Sequence, residues 1–144
     1  KFNMGKKILK KIKIQKLKII KIPAGNIMRI LKKKNLTKGG FGEAYFSKIK
    51  FRSIKAWKYH KKMFLNLTVP VGKVKFVFYS EKDDRFRVIE IGEKKYSRIT
   101  VPPKIWFGFK GMSKSESIIL NITNIEHNPK EIIRRKKNQI NFKW

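Results

Sequence analysis

The sequence predicts an all-β fold, a sandwich or barrel built as a single domain, on three observations. After Gly40 the chain runs in short β-prone stretches, at residues 41–48, 53–60, 64–69, 73–79, 86–91, 96–101, 106–109 and 117–125. Turn signals at Pro70 and Gly72, Asp83-Asp84, Gly92, Pro102-Pro103 and Gly111 divide them, at spacings near the roughly 8–12 residues expected of a sandwich or barrel. The 144 residues are also 41% hydrophobic and 12% aromatic, with 11 Phe, which is enough apolar material for an independent core.

The elements follow in order. Residues 1–11 read as a mobile basic leader, and 12–144 as the domain. Ile12 and Ile14 lie on one phase of a strand, Leu17 and Ile19 on the other, and Ile20 and Ile22 return to the first, so this stretch is expected to be a bulged strand. A cationic helix lying on a membrane is the rival, but Ile8, Leu9, Ile12 and Ile19 make no continuous helical stripe. Pro23-Ala24-Gly25-Asn26 is a turn, and Lys32-Lys33-Lys34-Asn35 with Gly39-Gly40 marks a loop. The β-prone runs come next. Near the end, residues 129–137 suggest a short helix, with Pro129 near its first position and Glu131 in its first turn. Residues 141–144 are expected to be an arm that packs back on the domain or on a partner chain.

Charge narrows the function classes. With 38 Lys+Arg against 9 Asp+Glu the formal net charge is +29, which attracts nucleic acid, phosphorylated ligands or an anionic membrane. The lysines are spread along the whole chain, with Ile and Asn abundant beside them, as a nucleotide bias in the source genome produces without selection for binding. Nucleic acid is therefore not the expected partner. If a polyanion binds nonspecifically, it does so at the first quarter, which has no acid before Glu43. With no cysteine, disulfides, thiolate metal sites and a cysteine nucleophile are excluded. No stretch approaches the ~20 apolar residues of a membrane-spanning helix, and the lysine-rich start lacks a signal peptide's apolar run, so a soluble cytoplasmic protein is expected.

Chemistry concentrates in residues 54–60, IKAWKYH. On strict alternation Ile54, Ala56, Lys58 and His60 share one face and Lys55, Trp57 and Tyr59 the other. Pattern alone favours Trp57 and Tyr59 in the core with Lys58 and His60 in solvent. The sharper reading points Lys58 and His60 into a barrel, where a polar pair serves a ligand. His60 and His127 are the only histidines and no acid lies between Glu43 and Glu81, so neither a metal site nor a cofactor is expected. Gly39-Gly40-Phe41-Gly42 precedes a strand instead of opening a helix, unlike a nucleotide-binding glycine loop, and nothing resembles a serine nucleophile elbow.

In order and spacing, FGEAYFS at 41–47, IKAWKYHKK at 54–62, VPVGKVKFVFY at 69–79, VPPKIWFGF at 101–109 and ILNITNIEHNP at 119–129 resemble the small cupins related to dTDP-4-dehydrorhamnose 3,5-epimerase, over nearly the whole chain. The resemblance implies a cupin-like jelly-roll β-barrel with a short C-terminal helix, a dTDP-linked sugar as ligand, and a homodimer. It also implies metal-independent proton transfer next to the keto group of a dTDP-4-keto-hexose. Enzymes of that family use a histidine base and a tyrosine acid. Their Arg-Gly-Leu-His-Tyr-Gln stretch reads Lys55-Ala56-Trp57-Lys58-Tyr59-His60 here, so the base position falls on Lys58 and a histidine, His60, follows two residues on. His127 stands near the tyrosine position, Glu43 and Tyr45 replace a Gln and an Asn that contact ligand, and Phe107 replaces a histidine. The aspartate that supports the family's base has no evident match. The expected catalytic residues are His60, then Lys58, with His127; the expected substrate contacts are Glu43, Tyr45, Lys55, Asn66 and Arg98, with Lys55 and Arg98 for the pyrophosphate. A non-catalytic cupin that binds a sugar nucleotide or a partner enzyme, and a polyanion binder, are the alternatives.

Overall fold

The computed structural model describes residues 8–144. Its strands are β1 (Lys13–Lys16), β2 (Ile19–Ile20), β3 (Ile27–Met28), β4 (Glu43–Ile49), β5 (Ile54–His60), β6 (Leu65–Val71), β7 (Lys73–Ser80), β8 (Arg85–Gly92), β9 (Ser97–Val101), β10 (Trp106–Gly111), β11 (Ser117–Thr123) and β12 (Ile132–Arg134). They form two antiparallel five-stranded sheets, β1-β9-β6-β11-β4 and β12-β5-β10-β7-β8, beside a small β2-β3 ribbon. Within the two sheets only β7 and β8 are both consecutive and paired, the other connections passing from sheet to sheet or skipping a strand. This is the jelly roll that was expected.

Alternation explains the core. In β7, Val74, Phe76 and Phe78 point between the sheets, each fully buried, against Leu65, Leu67 and Val69 of β6 and Ile99 and Val101 of β9. The β6–β7 reversal is made by Gly72 at φ +86°, where a Cβ would stand 2.2 Å from Ser117 Oγ, so only glycine fits. The outer face of the second sheet is covered as well. Ile140, Phe142 and Trp144 lie against Trp57, Val77, Trp106 and Phe86, with Trp57 and Trp144 ring centroids 5.3 Å apart. The terminal arm thus packs on its own domain and gives the molecule a second, aromatic core.

Two features depart from the sequence reading. Residues 129–137 form no α-helix: a 3-10 turn at Pro129–Glu131, capped by Asn128 Oδ1, leads directly into β12, which pairs with β5. The proline and the acid do initiate a turn, but Ile132-Ile133-Arg134 finds better partners on the open edge of β5 than in a helix of barely two turns. Of the expected leader, residues 1–7 lie outside the described residues. Leu9 is buried in the main core, and Arg87 Nη1 donates to Leu9 O and Ile12 O at 2.9 Å each, so packing reaches back beyond residue 12.

Candidate active site

An irregularity in β5 builds the site. Phe107 of β10 faces Lys58, but the next residue, Gly108, faces Ala56, so Trp57 is an extra residue and the strand changes phase there. Trp57 instead exchanges backbone bonds with Arg135, its N–H donating at 2.9 Å and its O accepting at 3.1 Å. Gly108 permits the close approach, since a Cβ there would sit 2.6 Å from that of Ala56. Lys55, opposite Phe109, and Lys58, opposite Phe107, consequently both turn inward although three residues apart. Of the two orientations open for Lys58 and His60, the inward one is found, and Trp57 and Tyr59 are covered on the outside by the aromatic core.

A cavity of about 380 Å³ lies between the sheets. Lys55, Lys58, Arg134 and Arg135 line it on one side, Tyr45, Ser47 and Asn121 on the other, with Leu67, Phe107, Phe109 and Ile119 as its apolar floor. No carboxylate lines it among the described residues, and three cations, Lys55, Lys58 and Arg134, face one hollow; the Arg135 guanidinium is instead held by Glu81 Oε2 and Oε1 at 2.9 and 3.2 Å, over the Trp106 ring. Burial, aided by the charges of Arg134 and Lys55, holds the Lys58 ammonium below the usual lysine range. Across the cavity Asn121 Nδ2 donates to Tyr45 Oη at 2.9 Å, and burial pushes the Tyr45 phenol up despite that bond. The site therefore pairs an amine eased toward its neutral form with a phenol that keeps its proton.

His60 sits beside the cavity and not in its wall. Its ring stacks on Phe107 at 6.0 Å, and its Nδ1 lies 2.5 Å from Glu131 Oε1. Glu131 Oε2 accepts the N–H groups of Lys62 and Met63 at 3.0 and 3.2 Å. Burial pulls His60 below the ordinary imidazole range although Glu131 acts the other way. Burial opposes the Glu131 charge, but the bonds from His60, Lys62 and Met63 outweigh it and lower its pKa. The pair is thus a neutral imidazole donating Nδ1–H to a carboxylate, with Nε2 left as the acceptor.

Of the residues predicted from sequence, Tyr45, Lys55 and Lys58 meet in the cavity. Asn66 and Arg98 do not: Leu65, Leu67 and Ile99 take the core side of their strands, which sends Asn66 and Arg98 to the outer face of the first sheet. There Asn66 Oδ1 accepts from Thr100 Oγ1 at 2.8 Å, and Arg98 Nη1 donates to Ile30 O at 2.8 Å. Glu43 and His127 pair with each other, the His127 N–H donating to Glu43 Oε1 at 2.9 Å, and neither lines the cavity. Sequence reasoning missed Asn121, Arg134 and Glu131. The β-branched pair Ile132-Ile133 suits a strand, but it does not say which strand edge it would join, so the placement of the last two could not be read from it.

Fold and site together define a small cupin-like jelly roll with a cationic cavity between its sheets. The structure is similar to that of a dTDP sugar isomerase from Desulfovibrio desulfuricans G20, with 29% identity and a TM-score of 0.87 over 93% of this chain and 90% of that one. It shares its fold with a mutant sugar 3,4-ketoisomerase from Thermoanaerobacterium thermosaccharolyticum in complex with TDP-4-keto-6-deoxyglucose, at 18% identity and a TM-score of 0.74 over 86% of this chain and 87% of that one. It likewise shares the fold of a dTDP-6-deoxy-D-glucose-3,5-epimerase from Legionella pneumophila in complex with dTDP-4-keto-L-rhamnose, at 14% identity and 0.78 over 88% and 73%. No protein-family model and no curated protein matches the chain.

Proposed function

We propose that the protein is a nucleotide-sugar epimerase or ketoisomerase that moves a proton next to the keto group of a dTDP-4-keto-hexose without a metal. The observation that carries this reading is the placement of Lys58 and Tyr45 on opposite walls of a cationic cavity. A ketone makes the neighbouring C–H acidic because the electron pair left behind delocalises onto the keto oxygen. Neutral Lys58 takes that proton on Nζ as the C–H pair becomes the C=C bond of the enolate and the C=O pair moves to oxygen. The enolate then re-forms the ketone, its carbon taking the Tyr45 proton on the opposite face, and solvent restores both groups. Lys55 and Arg134 supply positive charge for the diphosphate and the enolate oxygen.

Position favours Lys58 over His60 as the base, the reverse of the order expected from intrinsic pKa, since Lys58 lines the cavity and His60 does not. The His60–Glu131 pair instead anchors the end of β5 that carries Lys58. Likeness to proteins bound to TDP-4-keto-6-deoxyglucose and dTDP-4-keto-L-rhamnose supports the substrate class. In heavy water, wild type is expected to place deuterium beside the keto group of dTDP-4-keto-6-deoxyglucose, and Lys58→Met to lose about 10²–10⁴-fold in that exchange. Wild type that binds the sugar nucleotide without exchange would instead be a binding cupin. The reading extends to a cytoplasmic homodimer serving polysaccharide biosynthesis. Edge strand β4, with Phe46 67% exposed, supports pairing of a second copy there, and a purely monomeric sedimentation profile would exclude it.

A further inference from the structure

A second hollow, of about 560 Å³, lies on the outer face of the first sheet, across that sheet from the cavity just described. Its polar lining is Lys13, Gln15, Asn35, Thr37, Arg98 and Thr100, with no carboxylate among the described residues. Arg98 is only 8% exposed, and its Nε has no hydrogen-bond partner; Thr37 Oγ1, on the facing loop, is likewise buried and unpartnered. No carboxylate forms an ion pair with Arg98 among the described residues. A buried guanidinium without a counter-charge is costly, and its planar fork matches the oxygens of a phosphate. The facing loop is fixed on both sides of Thr37, through Arg98 Nη1 to Ile30 O at 2.8 Å and Asn124 Nδ2 to Lys38 O at 2.8 Å, so donors stand on both walls.

We infer that this hollow binds a phosphate-type oxyanion, with Arg98 as its principal ligand and Thr37 and Lys13 completing the donor set. The site is separate from the cationic cavity between the sheets and independent of any reaction performed there. A role for Arg98 as a mere strut for the loop is the competing account. The two differ in what an anion does to the arginine itself.

The test follows the Arg98 Nε–H signal by nuclear magnetic resonance during titration with inorganic phosphate, at an ionic strength held near about 0.15 M with chloride. A saturable shift is expected in wild type and in Lys58→Met. Arg98→Met, followed by calorimetry, and Thr37→Val are each expected to weaken phosphate binding by about tenfold or more while remaining folded by circular dichroism. A parallel titration with glucose 6-phosphate separates the sources: tighter binding than inorganic phosphate assigns a phosphorylated metabolite, and equal or weaker binding assigns the free ion. An Arg98 signal that shifts no more with phosphate than with chloride, or affinity unchanged in both Arg98→Met and Thr37→Val, would overturn the inference.

Discussion

Replacing Glu131 by alanine removes one acceptor from three donors at once: His60 Nδ1–H at 2.5 Å, the Lys62 N–H at 3.0 Å and the Met63 N–H at 3.2 Å. Glu131 is 4% exposed and Met63 2%, so water does not reach these groups unless the end of β5 opens. An orphaned buried donor costs about 1–3 kcal/mol, and with the His60 and Met63 donors left buried the loss comes to about 4 kcal/mol. For a domain of this size that corresponds to a fall in Tm of roughly 12–16 °C. Glu131→Gln keeps the shape and one carbonyl oxygen for the backbone donors, and His60 can meet the new amide with its other tautomer, so about 1–2 kcal/mol is expected there. Acid adds a second signature. Both His60 and Glu131 have lowered pKa values, so the unfolded chain binds more protons as pH falls. Stability is therefore complete above the ordinary imidazole value of 6.5 and declines on acidification, first through His60 and then through Glu131. Glu131→Gln removes the second decline and keeps the first. Urea unfolding followed by tryptophan fluorescence, at neutral pH and at intervals down to the carboxylate range, measures both effects. A Glu131→Ala protein within about 0.5 kcal/mol of wild type at neutral pH would refute the buried dyad and the anchoring argument built on it.

Tyr45→Phe tests the proposed acid separately from the proposed base. It is expected to retain deuterium exchange through Lys58 while formation of inverted product falls about 10²-fold or more; equal loss of both would mean that Tyr45 shapes the cavity and transfers no proton. Removing residues 141–144 strips Phe142 and Trp144 from Trp57, and should lower stability by about 2–4 kcal/mol and shift tryptophan emission to the red; an unchanged melt would show that the arm covers nothing essential.

The eight strands β4 to β11, the turns between them and the resemblance of five segments were legible in the sequence because β-periodicity and turn chemistry are local. The orientation of β5 was not. Strict alternation placed Lys55 and Lys58 on opposite faces, and only the mismatch between β5 and β10 at Trp57, a property of two strands about fifty residues apart, puts them on one. Glu131 was legible as an acid in a first turn but not as a partner for His60, since nothing within residues 129–134 announces the edge of β5. Asn66 and Arg98 erred for the opposite reason. They alternate as expected, but the outer face of their sheet is itself covered by the loop from Ile30 onward, so burial there does not signify the active cavity.

In the proposed reaction Lys58 is the base, which makes the cavity's charge part of the chemistry. Burial comes first in lowering the Lys58 pKa, with Arg134 and Lys55 adding repulsion, and those two cations are the ones best placed to receive a diphosphate. A bound diphosphate neutralises them and brings negative charge near the amine, which favours the ammonium. Binding and base strength therefore pull on Lys58 in opposite directions. The pH profile of kcat/KM reports the free enzyme and that of kcat the substrate complex, so the rising limb of kcat is expected at higher pH than that of kcat/KM. Arg134→Ala removes the largest of the repulsive charges, moves Lys58 back toward its ordinary value, and should shift the kcat/KM limb upward until the separation between the two profiles narrows. Coincident limbs in wild type, or an Arg134→Ala limb that moves to lower pH, would show that Lys58 is not the titrating base.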